Sequence, residues 1–246
     1  MTRLLALLLL LGGCAGSGPA ASDAAPRLLV FSKTGGWVHD SIPAAVEAVR
    51  ELGEAGGFAV DATDDAAVFS DDGLEGYDAV VFLLTSGDVL DAEQEAAMER
   101  FVRAGGGFAG VHSASDTEYE WPFYGDLVGA YFAEHPPVQP GEVDVVADHP
   151  STAPLPERWT WTDEWYAFRE RPEGVRVLLA VDESTYEGGT MGDDHPVAWC
   201  HEALGGRAWY TALGHRAEGY ADDTFRAHLL GGLRYVAGLA DGDCAP

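Results

Sequence analysis

The sequence predicts an α/β fold, a three-layer sandwich with a mainly parallel central sheet. Two observations carry that expectation. Short apolar runs without polar alternation recur at Arg27–Ser32, Tyr77–Leu84 and Gly105–Val111, as strands buried on both faces require. Between them lie segments with apolar residues at helical spacing. Strands that alternate with helices close into a parallel sheet through right-handed crossovers.

Taken in order, Arg27-Leu-Leu-Val-Phe-Ser32 is the first strand. A glycine-containing loop, Lys33–Asp40, leads to a helix opening near Ser41 and Pro43, with Val46 and Val49 facing inward. Phe58–Asp61 is a second short strand and Tyr77–Leu84 a third. Ala92–Ala104 reads as a helix with Met98, Phe101 and Val102 at core spacing. The glycines that open Gly105–Val111 end that helix and let the fourth strand pack closely. Val143–Val146 and Val175–Val181 read as further strands. Val197–His201 and Arg207–Leu213 read as a hairpin closed by Leu204-Gly-Gly206, and a last helix runs from about Asp222 to Val236.

The N-terminus predicts the compartment. Arg3 precedes the apolar run Leu4–Leu11, which is too short to span a bilayer and reads as a signal-peptide core. Leu11-Gly12-Gly13-Cys14 is similar to a bacterial lipobox, so residues 1–13 are expected to be cleaved and Cys14 lipidated. Residues 14–26 form an Ala/Gly/Ser/Pro tether, and residues 27–240 one domain. The expected location is the bacterial cell envelope, with lipid as the only membrane attachment. Ala15 after the cysteine favours the periplasmic face of the outer membrane, by similarity to known lipoproteins.

A formal charge of −27 argues against a nucleic-acid partner, which needs a basic face. The acids are dispersed, as on a solvated surface. Of the 14 basic residues only Lys33 is a lysine, and it ends the first strand. Cys200 reads as mid-strand and Cys244 as lying in a frayed terminus, so two free thiols are as compatible with the sequence as a pair.

In such sheets ligands bind where loops leave the carboxyl ends of central strands. That rule selects Lys33–Asp40, Thr85–Asp88, His112–Asp116 and Gly214-His215. Phe31-Ser-Lys-Thr-Gly-Gly-Trp-Val-His-Asp-Ser41, Gly105-Gly-Gly-Phe-Ala-Gly-Val-His-Ser113, Asp163-Glu-Trp-Tyr166, His195-Pro-Val-Ala-Trp-Cys-His-Glu202 and Gly206-Arg-Ala-Trp-Tyr-Thr-Ala-Leu-Gly-His215 follow in order. Together they resemble the blocks of the ThuA-like (trehalose utilisation) family. The resemblance implies a flavodoxin-like fold, similar to class I glutamine amidotransferases. It also implies a carbohydrate-type small molecule or keto-sugar derivative as substrate.

The same resemblance shows what is missing. His112 stands at the turn where an amidotransferase carries its cysteine, and His215 stands where the base would be. No thiolate nucleophile is present there, and no Gly-x-Ser-x-Gly surrounds Ser113. Neutral imidazoles serve as general bases or metal ligands. His39, His112 and His215, with Asp116 or Glu164, would make a mixed nitrogen and oxygen site for zinc or another divalent ion. His112, His215, Lys33 and Glu164 are the expected catalytic residues, with His39, Asp116, Trp37 and Tyr166 on the substrate.

For the other histidines, scaffolding is the expectation. His135, His149 and His195 precede proline, His201 sits in the hairpin, and His228 lies on the last helix as a surface or packing residue. Trp37, Trp121, Tyr124, Trp165 and Tyr166 fall in loops, fit either for sugar faces or for a small core beneath them. Asp163 and Glu164 make an acid/base pair or cap a turn. The first functional reading is a sugar-processing enzyme using general acid/base or metal-assisted chemistry. Its rivals are a non-catalytic sugar-binding or scaffold module and a metal-dependent amidohydrolase. The oligomeric state has no signature in the sequence.

Overall fold

The computed structural model describes residues 24–246. The expected signal peptide, Cys14 and most of the expected tether lie outside the described residues. In chain order the elements are β1 (Arg27–Phe31), α1 (Ile42–Gly56), β2 (Ala59–Thr63), α2 (Asp71–Leu74), β3 (Ala79–Leu83), α3 (Ala92–Arg103), β4 (Gly107–Val111) and α4 (Pro122–Val128). Then follow β5 (Phe132–Glu134), β6 (Gln139–Val145), β7 (Arg158–Asp163), β8 (Ala167–Phe168), β9 (Arg176–Asp182), β10 (His195–His201), β11 (Ala208–Thr211) and α5 (Asp223–Val236).

One sheet of nine strands runs in the order β2-β1-β3-β4-β11-β10-β9-β6-β7. Its first five strands are parallel, and β11 takes the fifth place of a flavodoxin-like order. The reason is burial: every residue of β3 and β4 is buried, which only helices on both faces can achieve. The crossover β1-α1-β2 moves one way along the sheet and β3-α3-β4 the other. Right-handedness therefore puts α1 and α3 on opposite faces. Gly107 is needed for this packing, because a Cβ there would lie 2.2 Å from the Val236 carbonyl oxygen at the end of α5.

Beyond β11 the sheet becomes antiparallel. The β10–β11 hairpin forms as its glycine turn predicts. The strand β7 was not expected, because Arg-Trp-Thr-Trp-Thr-Asp pairs only with β6 at the sheet edge and is half-exposed. The small sheet of β5 and β8 was also not expected. Two or three residues carry no readable period.

Cys200 and Cys244 form a disulfide with Cα atoms 5.4 Å apart, which ties the segment after α5 to β10. Sequence separation concealed this, since α5 folds back beside the sheet. The bond spans 44 residues. By the loop-entropy estimate it contributes up to about 4 kcal/mol. The Cys244→Ser protein should accordingly lose about 2–4 kcal/mol in a urea titration.

His228 is not a surface residue. It is fully buried, its Nδ1–H donating to the Ser151 carbonyl at 2.9 Å while Nε2 meets the Thr211 hydroxyl at 3.1 Å. Burial pushes its pKa down to about 4. Native His228 stays neutral while the unfolded chain protonates near pH 6.5, so its contribution is complete above that pH. It is lost as pH falls from 6.5 toward 4, with a slope of up to about 1.4 kcal/mol per pH unit. Stability measured against pH should lose this slope in His228→Gln.

Candidate metal centre

The site is built at the carboxyl ends of β1, β4 and β11. β4 is followed directly by His112, whose φ of 52° is left-handed. Such a turn is costly for a side chain larger than glycine, and it throws the imidazole out above the sheet. The adjacent β11 ends in Thr211, and His215 follows after a short turn. Gly214, at φ 120°, makes that turn possible.

His39 arrives from the loop after β1. Gly35 and Gly36 lie directly on the segment after β3, where both amides donate to the Ser86 carbonyl at 2.6 and 3.1 Å. A Cβ on Gly35 would sit 2.6 Å from the Asp88 carbonyl oxygen, so only glycine permits this approach. Ser86 Oγ donates to the Trp37 carbonyl at 2.6 Å and completes the clamp. The loop thus holds His39 at 4 % exposure.

Three imidazoles converge. The ring of His39 is 4.9 Å from that of His112 and 5.2 Å from that of His215, and His112 is 5.3 Å from His215. Glu164 joins them from the segment after β7. Its Oε2 lies 3.5 Å from His112 Nε2 and 3.1 Å from His215 Nδ1, and its Oε1 lies 3.1 Å from His135 Nδ1. One ligand atom from each of His39, His112, Glu164 and His215 is within 4.8 Å of every other.

Tautomers follow from the partners. His112 Nδ1 lies 2.7 Å from the Ala212 carbonyl, which can only accept, so Nδ1 carries the proton. In the neutral ring Nε2 is then a bare lone pair, buried and without a hydrogen-bond partner. It faces a carboxylate oxygen. Two acceptors in contact repel unless a cation lies between them, and that cation is either a proton or a metal ion.

Electrostatics separate two of the imidazoles around an anion. Burial, reinforced by the neighbouring His112 and His215, pushes His39 down to about 3. For Glu164 burial works upward, but His112 and His215 beside it outweigh burial and hold the carboxyl well below the usual range. The Glu164 carboxylate in turn raises His215. A lone-pair donor set with one negative charge suits zinc or another first-row divalent ion. Ligand atoms about 3.4 Å apart would satisfy tetrahedral bonds of about 2.1 Å, so from separations within 4.8 Å a contraction of at most about 1.4 Å completes the fit.

Asp163 organises the centre without entering it. Oδ1 accepts from the amides of Glu164 and His215 at 2.9 and 3.0 Å. Oδ2 accepts from the Gly214 amide at 2.8 Å and from Trp161 Nε1 at 2.7 Å. One carboxylate at 1 % exposure therefore sets the position of two cluster residues.

The other expected site residues do not join the four-residue cluster. Lys33 Nζ donates to the Val89 carbonyl at 2.8 Å, outside the four-residue cluster. Asp116 accepts from Tyr119 Oη at 2.6 Å. Tyr166 is buried with its ring 4.2 Å from that of His112, making it a wall of the centre. Trp37 stands 70 % exposed near the rim, whereas Trp121, Tyr124 and Trp165 belong to the core. His135, expected as scaffolding, instead touches Glu164. Its sequence context, His-Pro-Pro, gave no signal, because the small β5–β8 sheet creates the approach.

Comparison with known proteins decides the family. The model of the family described as "ThuA: Trehalose utilisation" matches residues 27–236. The chain belongs to the ThuA family. A ThuA-like protein from Bacteroides uniformis superposes with a TM-score of 0.73 at 24% identity, covering 89% of this chain and 95% of that one. A ThuA-like protein from Parabacteroides merdae gives 0.70 at 19% identity, covering 87% and 90%. A glutamine amidotransferase from Thermotoga maritima gives 0.51 at 11% identity over 87% and 98%, a likeness of fold alone. The ThuA fold here is thus of the flavodoxin and glutamine amidotransferase kind. No curated protein matches the chain.

Proposed function

We propose that this ThuA-family chain is a metal-assisted acid–base enzyme acting on a sugar or keto-sugar derivative. The single observation that carries the reading is the bare, buried Nε2 of His112 facing the Glu164 carboxylate. His39, His112, His215 and Glu164 Oε2 would hold a divalent ion, zinc being the first candidate. When bound, such an ion supplies Lewis acidity toward a carbonyl or hydroxyl oxygen.

The chain's own groups supply the proton chemistry. His135 Nδ1 lies between Glu164 Oε1 at 3.1 Å and the Pro136 carbonyl at 3.0 Å, so it carries the proton and leaves Nε2 as an acceptor. His135 also lines a cavity of about 290 Å³ with Trp165, Tyr186 and His195. From there it can take a proton from a substrate hydroxyl or from carbon beside a carbonyl, and return it. Glu164 holds the imidazole in that tautomer. Trp37, 70 % exposed, presents an aromatic face suited to sugars. The substrate class rests on the family's description as trehalose utilisation.

The test is metal analysis of purified protein combined with a turnover screen of disaccharides and 3-keto-sugars. One tightly held divalent ion and metal-dependent turnover are expected. Sugar binding without turnover would make the chain a binding module instead, and metal-free protein that retains turnover would remove the centre from the chemistry. We further propose that Cys14 carries lipid and anchors the protein to the envelope. Cys14→Ser should then be released or remain unprocessed, and an intact mass beginning at an unmodified Met1 would refute the anchor.

A further inference from the structure

A second group of soft and nitrogen ligands lies on the far side of the domain core, where the segment after α5 meets β10. His149, Cys200 and Cys244 each offer a ligand atom within 4.8 Å of the others. All three are buried, at 4, 0 and 6 % exposure. The two sulfurs are joined in the disulfide.

His149 is held at one end only. Its Nδ1 lies 2.8 Å from Ser151 Oγ and 3.1 Å from the Ser151 amide. The amide can only donate, so as the structure stands Nδ1 is the bare acceptor and the neutral ring carries its proton on Nε2. That Nε2–H is a buried donor with no hydrogen-bond partner. It faces the segment bearing Cys244: a Cβ on Gly242 would come within 2.9 Å of it. A buried donor or acceptor left unmatched beside two sulfurs is a costly arrangement unless another state of the site uses it.

We propose that His149 Nε2, Cys200 Sγ and Cys244 Sγ form a redox-gated site for a thiophilic ion, zinc first. The disulfide form is closed to metal. An external dithiol attacks one sulfur, the S–S bond breaks, and the dithiol leaves as its own cyclic disulfide, with both cysteines now thiols. Zinc(II) then replaces their two protons, which pass to solvent; the ring proton moves from Nε2 to Nδ1, where the Ser151 hydroxyl can accept it, and the freed Nε2 lone pair becomes the third ligand. Two cysteines and one histidine around zinc are a recognised set with a fourth position left for a small exogenous donor. Access exists at Cys244, which borders a cavity of about 400 Å³ with Gly174, His201, Glu202 and Asp243. The Arg176–Asp243 ion pair at 3.0 Å keeps the segment near β10 when the sulfurs part to the spacing a zinc dithiolate needs. This site shares no residue with the His39 cluster and does not depend on the function proposed for it.

Cobalt(II) is the probe, added under argon to the purified protein in its disulfide form and after reduction with a phosphine. Thiolate-to-cobalt charge-transfer absorption is expected only after reduction, saturating at one equivalent, and zinc should abolish it. The His39 cluster has no sulfur and cannot produce that band. His149→Ala should weaken cobalt binding tenfold or more, and Cys244→Ser should remove the band, with circular dichroism confirming that each variant is folded. His149→Gln serves if the alanine variant does not fold. A reduced, folded protein without the band would overturn the proposal. So would a band undiminished in both His149 variants, or unfolding of the wild-type chain on reduction.

Discussion

Replacing His112 with alanine should remove at least about a hundredfold of the divalent-ion affinity, since even groups that only orient a ligand cost ten- to a hundredfold. Turnover should vanish with it. The two imidazoles that remain approach from separate loops, and neither has a tautomer fixed by a carbonyl as His112 has through Ala212. Stability should respond differently. The variant loses a buried hydrogen bond, worth about 1 kcal/mol. It also keeps a left-handed residue at φ 52°, whose strain of about 1–2 kcal/mol is relieved only by glycine. His112→Gly should therefore match or exceed His112→Ala in melting temperature while being equally metal-free. That pair of results would show that a histidine occupies a glycine-type position for its chemistry. A wild-type metal content in either variant would count against the centre.

The second large effect is expected at Asp163. Its four accepted hydrogen bonds involve both carboxylate oxygens, and all four donors are N–H groups. Asp163→Asn keeps the shape but turns one oxygen into a donor that meets N–H groups head-on. Bonds to a charged acceptor are worth about 1.5–3 kcal/mol each, so a loss of about 3 kcal/mol in unfolding free energy follows. Glu164 and His215 should also shift, because their amides are two of the four donors. Metal affinity should fall together with stability, by about tenfold or more. Chemical denaturation and metal titration on the same preparation check both. Unchanged metal affinity in a destabilised variant would confine Asp163 to the scaffold.

The two residues illustrate how differently the site could be read in the sequence. His112 was legible because it follows a buried, glycine-rich strand, and a rule about strand ends places it in a crevice. Asp163 and Glu164 stood out as a pair, but nothing in their neighbours assigned one to orientation and the other to the cluster. That division depends on which side of the edge strand β7 each carboxylate leaves. His135 was not legible at all. It reaches Glu164 through a two-stranded sheet whose members, β5 and β8, are too short to show a period. The disulfide was hidden for a related reason, since pairing of Cys200 with Cys244 depends on where α5 delivers the chain.

What the sequence determined by itself was the parallel half of the sheet, its three long helices (α1, α3 and α5, but not the short α2 and α4), and the three loops that bear His39, His112 and His215. Those follow from local signals: apolar runs long enough to be strands, glycines at their ends, and chirality that leaves one way to connect them. What only the tertiary structure decided was the antiparallel extension, the meeting of Glu164 with three imidazoles, and the juxtaposition of His149 with two sulfurs. These are contacts between segments far apart in the chain, where neither spacing nor propensity acts. They arise from packing, which brings a side chain wherever its element finds a surface to bury.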